Sequence, residues 1–448
     1  MTKRFSIFWG CTIPARFPFV EKSTRVMLDD LGATVEEVDG FTCCPEGTLV
    51  KAVDEDAYYL TAARNLALAE KEQRPLVTPC NGCYSTFKSV EAELRTDWRR
   101  KKQVNETLET EDLTLGAGPE VKHLVEWVFD EIAPGRIASQ TIRPFWGMRL
   151  AVHYGCHLLR PSPAVRWDSS TEPTKFEDLV RATGATVVDY ETKLECCGGA
   201  LDRVGQRESA LEFCARKVED LSAREVDALV VACPSCFQQF DLNQAALLRR
   251  RQKEGAGEEV GIPVLYYSEL VALAMGRDPE DLGLSLHRVD VSPFLKKWGR
   301  RLEQKEEIER AFRVPELQKC NECRACENDC PVTKSDPSFS PTAIIGEILS
   351  GDLEEVLERG ELWKCLECFT CYEMCHSRLG MAEVFRRLKE LAVERGHVPE
   401  AVESAYETFL TTGKLGEPRE SVRRRLGLDA PADMGFEELK RLLQRRDG

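Results

Sequence analysis

A chain of 448 residues exceeds one average domain, which sets an expectation of two or three folding units, each able to bury a core. With 61 Lys and Arg against 76 Asp and Glu the formal charge is -15, which argues against nucleic acid as a partner. The start, MTKRFSIFWGCTIPARF, lacks a signal-peptide core, and no stretch reaches transmembrane length, so a cytoplasmic location is expected; nineteen cysteines in a reducing compartment point to metal or cluster ligation, not to a disulfide scaffold.

In chain order, the first element is an apolar run, FSIFWGC, that reads as a strand delivering Cys11 at its carboxyl end. A helix and a strand follow in TRVMLDDLGATVEEVDGFTCC, where LGATV marks the helix stop and the strand start, and the double cysteine is Cys43 and Cys44. Another strand-like run, PLVTPCNGC, carries Cys80 and Cys83, and the amphipathic stretch VKHLVEWVFDEI reads as a closing helix.

The same order then repeats. RLAVHYGC carries Cys156, FEDLVRATGATVVDYETKLECC carries Cys196 and Cys197, DALVVACPSC carries Cys233 and Cys236, and YYSELVALAMG reads as the second closing helix. The copy is displaced by 145 residues at its first cysteine and by 153 at the other four, a tandem duplication with one eight-residue insertion. The pattern is α/β with ligands on loops at strand ends, in two pseudo-symmetric halves covering residues 1–145 and 146–295.

Residues 296–315 are highly charged (KKWGRRLEQKEEIERAF) and read as a solvated linker helix. The unit at 316–398 carries Cys320, Cys323, Cys326 and Cys330 before Pro331, then Cys365, Cys368, Cys371 and Cys375, with a helical segment between them. CxxCxxCxxxC occurring twice is the bacterial ferredoxin signature for two cubane [4Fe-4S] clusters. In that signature the fourth cysteine crosses over, which assigns Cys320, Cys323, Cys326 and Cys375 to one cluster and Cys365, Cys368, Cys371 and Cys330 to the other. Zinc is the competing ligand, but three evenly spaced cysteines plus a fourth suit a cubane better than a tetrahedral ion. The tail, 399–448, is charged and helix-prone, a docking or packing element.

The five-cysteine pattern, together with GCTIPARFP, CCPEG, CNGC, VKHLVEW, HYGCHLLRP, TKFEDL, CCGG and CPSCFQQFDLNQ, closely resembles the CCG domains in the B subunit of heterodisulfide reductase over about residues 1–295. The remainder resembles the C subunit of the same enzyme, so the whole reads as a B–C fusion. The resemblance implies a pair of CCG domains followed by an α-helical, bacterial-ferredoxin-like domain. It also implies that Cys11, Cys43, Cys44, Cys80 and Cys83 hold one noncubane [4Fe-4S] cluster and Cys156, Cys196, Cys197, Cys233 and Cys236 a second, with a disulfide such as CoM-S-S-CoB between them. The competing reading, that the adjacent cysteines are redox-active thiols or core residues, does not account for five repeated positions.

The mechanism that follows is reductive: single electrons arriving through the cubanes open the S–S bond, and two thiols leave. His153 and His157 flank Cys156 and are the candidates for proton donation or for a hydrogen bond to the cluster. Arg16 and Arg160 are candidates for an anionic substrate group, Asn81, Gly82, Gly198 and Gly199 for shaping the ligand loops, and Cys214 for a buried structural thiol. With no dinucleotide fingerprint or flavin site in the chain, electrons are expected from a partner. By resemblance that partner is a FAD and iron-sulfur protein like the A subunit of the same enzyme, joined by hydrogenase, formate dehydrogenase or other electron-input subunits. The alternative is an electron-transfer component of a flavin-based bifurcating or class II benzoyl-CoA reductase-type complex, with no disulfide substrate.

Overall fold

The computed structural model describes residues 3–255, 261–323, 325, 327–375, 380–416, 419–429 and 435–446, and divides into two compact units, 1–303 and 304–448. The first unit is built on two four-stranded sheets of the same topology. Strands β1 (Lys3–Ile7), β2 (Ala33–Glu36), β3 (Leu76–Thr78) and β4 (Val121–His123) lie in the order β2-β1-β3-β4. Strands β5 (Arg149–His153), β6 (Thr186–Val187), β7 (Ala228–Val231) and β8 (Val264–Tyr266) repeat it as β6-β5-β7-β8.

Every pairing is parallel, with Lys3 opposite Ala33, Leu76 opposite Val121, Leu150 opposite Ala228, and Leu229 opposite Val264. Parallel sheets covered on both faces need strands that are apolar throughout, and Ala228–Val231 is buried at all four positions. In each sheet the chain leaves the central strand to one side and returns on the other, so the carboxyl ends of β1 and β3, and of β5 and β7, open a crevice where a ligand fits.

The closing stretches differ from the sequence reading. VKHLVEWVFDEI begins as β4 before turning helical at Leu124, and the run into YYSELVALAMG begins as β8, with the helix starting at Tyr267. That second helix, Tyr267–Ala274, is buried at every residue and so is not amphipathic. It packs against helix Pro18–Asp30 of the first half, with the Ser23 and Ser268 hydroxyls 2.8 Å apart. Phe17 and Phe19 meet Phe237 edge-on at centroid distances of 5.2 and 5.5 Å, so one apolar core runs through both halves.

Helix Ser292–Ala311 contains most of the charged run, and its buried positions are apolar: Trp298 stacks on Phe145 at 4.5 Å, and Ile308 is buried in the second unit. The second unit is helical, its core formed by Leu317, Ile345, Ile348, Leu357, Phe385 and Leu388. Helices Glu400–Thr412 and Glu420–Arg425 of the tail bury none of their residues.

One buried charge pair in the first unit makes its stability depend on pH. His287 Nε2 lies 3.0 Å from a Glu269 carboxylate oxygen, with both side chains fully buried, and the other Glu269 oxygen accepts from the Tyr266 N–H at 2.7 Å. Burial alone would lower the His287 pKa, but Glu269 and then Asp241 outweigh it and raise it above 6.5. A raised folded value means that the stabilisation is complete below the unfolded pKa and is lost as pH rises through the folded one. The urea midpoint followed by tryptophan fluorescence is therefore expected to fall as pH rises from 6.5, and H287Q to remove that slope while destabilising the unit by about 3 kcal/mol.

Candidate metal centre

The first unit gathers all ten cysteines of the duplicated pattern around one cavity of about 410 Å³. Cys11 follows β1 directly ahead of the short helix Thr12–Arg16. Cys80 follows β3 and caps helix Asn81–Thr96, placing Cys83 in its first turn, and Cys233 caps Pro234–Phe237 in the same way with Cys236 in the turn. A helix N-terminus presents unpaired N–H groups and a positive dipole end, which favours thiolates and anionic clusters there. The double cysteines come from the loops after β2 and β6. Gly198 and Gly199 donate their N–H groups to Cys196 and Cys197 sulfur, both at 3.4 Å.

The sulfurs form one continuous chain of contacts. It starts at Cys11, 3.8 Å from Cys43, and runs through Cys44, Cys83 and Cys80. From Cys80 it crosses to Cys233 in the other half and continues through Cys236, Cys197 and Cys196 to Cys156. The two sets are mirror-ordered and meet at their CysxxCys members.

Neighbouring thiols hold Cys44 and Cys233 well below the ordinary thiol range and Cys196 down to about 2. The same contacts, followed by burial, push Cys80, Cys83, Cys156 and Cys236 up. Thiolates crowded in a low-dielectric site cannot all ionise without cations among them. Ten soft sulfur donors around one cavity supply the chemistry that iron requires.

Two glycines set the close packing. Gly10 and Gly155, each immediately before a first cysteine, both have φ +71°, and a Cβ would stand 3.0 Å from Cys83 Sγ at the former. At Gly155 it would stand 2.4 Å from Asn81 Nδ2 and 3.2 Å from Cys236 Sγ. Asn81 fits there because it crosses between the halves, donating to the Tyr154 carbonyl at 2.8 Å. The sequence signal for these glycines was their shared place in FWGC and HYGC.

Of the other predicted residues, His157 and Arg16 line the cavity, Arg16 donating to Gln238 at 3.1 Å. Gly82 and Gly199 line it too. His153 ends β5 behind the wall, buried, with a ring nitrogen and the sulfurs of Cys197 and Cys236 within 4.8 Å of one another. Arg160 is turned elsewhere, donating to the carbonyls of Leu194 at 3.4 Å and Ser170 at 3.2 Å. Cys214 is buried, its thiol donating to the Gln239 carbonyl at 3.3 Å and pushed up to about 12 by burial, as a structural thiol would be. Sequence reasoning missed Arg203, which lines the cavity and pairs with Glu46 of the other half at 3.1 Å; neither residue belongs to a repeated position.

In the second unit, Cys330 is brought together with Cys365, Cys368 and Cys371 around an apolar pocket under Phe339 and Phe385. Cys320 and Cys323 lie in the last turn of helix Val314–Cys323, and Cys375 follows the turn Thr370–Glu373. Cys326 lies outside the described residues.

Comparison with known proteins matches a cysteine-rich domain at residues 5–88 and 150–241 and a 4Fe-4S dicluster domain at 316–379. The B subunit of the ferredoxin:CoB-CoM heterodisulfide reductase of Methanosarcina mazei is 35% identical over 295 residues, which are 66% of this chain and 96% of that protein. The chain belongs to the family of heterodisulfide reductase B subunits. Its continuation is similar to the iron-sulfur C subunit of the CoB–CoM heterodisulfide reductase of Methanopyrus kandleri, 28% identical over 155 residues, 33% of this chain and 79% of that one. The 8-methylmenaquinol:fumarate reductase membrane anchor subunit of Wolinella succinogenes is 34% identical over 293 residues, covering 65% and 99%. This member is thus a B–C fusion and an iron-sulfur electron-transfer protein. No helix among the described residues is long and apolar enough to cross a membrane.

Replacing Gly155 by Ala tests the packing of the two halves at the cysteines. G155A is expected to cost about 3 kcal/mol and to lower iron uptake, whereas G205A, also at positive φ but with nothing within 4 Å, costs about 1 kcal/mol and leaves uptake unchanged. Urea unfolding and iron analysis on the two variants read the difference.

Proposed function

We propose that this chain is the iron-sulfur catalytic component of a heterodisulfide reductase-like complex. In this reading the ten cysteines of the first unit hold two noncubane [4Fe-4S] clusters and the eight of the second unit hold two cubanes. The observation that carries it is the single chain of ten sulfurs, half from each copy, along one cavity. Clusters bound there supply one-electron steps and affinity for sulfur, the two requirements for cleaving a disulfide.

The rest of the work falls to protein side chains. The cavity holds a small substrate with its S–S bond toward the wall of cysteines. Arg16 and Arg203, the cations on the wall, orient an anionic substrate end through charge-assisted hydrogen bonds. Glu46 and Gln238 hold those two guanidiniums across the halves, so recognition is set before the substrate arrives. His157, on the same wall, provides the proton for a departing thiolate. The substrate in this reading is a mixed disulfide such as CoM-S-S-CoB, the compound in the names of the methanogen relatives. The electron source is a flavoprotein like the A subunit of heterodisulfide reductase, and the thiol-rich chain works in the reducing cytoplasm.

A second reading has an observation of its own. The Wolinella relative is named for a quinol and fumarate, not for a disulfide, and shares the first unit at 34% identity, so the same architecture also suits an electron-transfer component without a disulfide substrate.

Anaerobic loading followed by iron and zinc analysis and a disulfide-reduction assay with a reduced viologen distinguishes the two. About sixteen irons per chain and release of two thiols per disulfide support the reductase. Full iron without thiol release supports the electron-transfer component, and zinc in place of iron removes both. C43A and C196A are each expected to lose one cluster signal of the first unit while leaving both cubane signals. R203Q is expected to raise KM for an anionic disulfide about tenfold with a smaller change in kcat, the loss of about 1.4 kcal/mol of binding.

A further inference from the structure

The duplication places corresponding residues at corresponding points of the two five-cysteine sites, and three of those positions break the symmetry in the same electrical direction. Three residues before the first cysteine, the first half has Phe8 and the second His153. The surroundings are otherwise matched: Phe8 meets Phe87 at 4.8 Å and 83°, and His153 meets Phe240 at 4.9 Å and 80°, where Phe87 and Phe240 each stand four residues beyond the last cysteine. The ring is the same kind of flat core filler in both halves, but only one of the two carries polar atoms. His153 is 1% exposed, and among the described residues neither of its nitrogens meets a partner in full hydrogen-bond geometry, the Lys193 backbone being nearby. Leaving a buried imidazole unpaired is costly, so an acceptor is called for, and besides the Lys193 backbone on one side the groups in reach are the sulfurs of Cys197 and Cys236.

The other two positions reinforce this. Lys217, 1% exposed, lies close enough to Cys197 and Cys236 to feel their charge, and donates to the Thr192 carbonyl; its counterpart, Arg64, donates to the Gly40 carbonyl with its side chain at the surface. Glu46 stands beside Cys44 in the first half, its charge partly offset by the Arg203 guanidinium at 3.1 Å, where the second half has Gly199. An imidazole keeps at least one N–H whether neutral or protonated, so the His153 ring has a proton to give toward the Cys197 and Cys236 sulfurs. Negative charge on a thiolate or cluster-bound sulfur strengthens the hydrogen bond that it accepts.

We propose that His153, acting as a positioning residue through an N–H···S hydrogen bond to Cys197 or Cys236, makes the two five-cysteine sites electronically inequivalent, so that the iron-sulfur group of the second half accepts an electron at a higher potential than that of the first. This rests on the reading that both sites hold iron-sulfur groups. A hydrogen bond to ligand sulfur and a buried cation both stabilise the more negative, one-electron-reduced state, while Glu46 and a ring without a donor leave the first site harder to reduce. One electron from a donor such as dithionite enters at each step, and no bond is made or broken. The consequence for a two-electron reaction is a fixed order of filling, second half before first.

The test is an anaerobic redox titration of the iron-loaded full chain with dithionite, followed by electron paramagnetic resonance, on wild type and on H153F, F8H and H153Q. Wild type is expected to show two separate steps for the first unit. H153F should move the higher step to more negative potential and leave the lower in place. F8H should move only the lower step upward, and H153Q, which keeps an N–H, should restore part of the loss. Coincident steps in wild type, or midpoints unmoved in both H153F and F8H at full iron content, overturn the inference while leaving the reductase reading intact. Wild-type protein that binds no iron overturns the reading itself. If H153F alone fails to take up iron, the F8H shift decides: upward supports the inference, and no movement overturns it.

Discussion

Ten thiols in mutual contact inside a folded protein are an electrostatic problem before they are a functional site. As thiols they are weak donors with poor partners; as thiolates they repel one another at short range in a low dielectric. Among the described residues only Lys217, behind Cys197 and Cys236, brings a buried cation near the sulfurs. The fold places Cys80, Cys83, Cys233 and Cys236 at helix N-termini, gives Cys196 and Cys197 glycine N–H donors, and leaves the remainder of the charge for metal cations to balance. Each nearby oddity of the fold serves that arrangement: the positive-φ glycines before Cys11 and Cys156, the crevices at the sheet switch points, and the arginines kept at the cavity wall.

The second dependence is between the halves. Asn81 reaches Tyr154, Tyr266 donates to the Pro79 carbonyl, Arg16 meets Gln238 and Arg203 meets Glu46, all across the duplication. Beneath them the Phe17, Phe19 and Phe237 cluster and the helix Tyr267–Ala274 form a single core. Neither sheet could keep its cysteines in register with the other's without these bonds, so the sulfur chain is a property of the pair of copies.

Much of this was legible in the sequence, because cysteine spacing survives any uncertainty about the elements between. The repeat, the strand-end placement of Cys11, Cys80, Cys156 and Cys233, and the α/β class all follow from residue types at fixed intervals. The fourth strand of each sheet was not legible: three residues, Val121–His123 or Val264–Tyr266, are too few to show a period of two, and the helix that follows each dominates the pattern. The burial of Tyr267–Ala274 was equally hidden, since what covers it comes from residues 18–30. Arg203 could not be found by looking for repeats, because it acts through a residue of the opposite copy. Arg160 looked equivalent to Arg16 by its distance from the first cysteine, but backbone carbonyls of its own half claim its guanidinium.

The end of the sulfur chain has a practical side. Cys11 and Cys43 are the most exposed of the ten, and their sulfurs stand 3.8 Å apart, a small movement from bonding distance. A disulfide between them needs an oxidant to take two electrons and two protons, and it would tie up two of the ten sulfurs on the cavity wall until a reductant reopened it. Handling the metal-free chain without air and with a thiol reductant keeps that rim pair open.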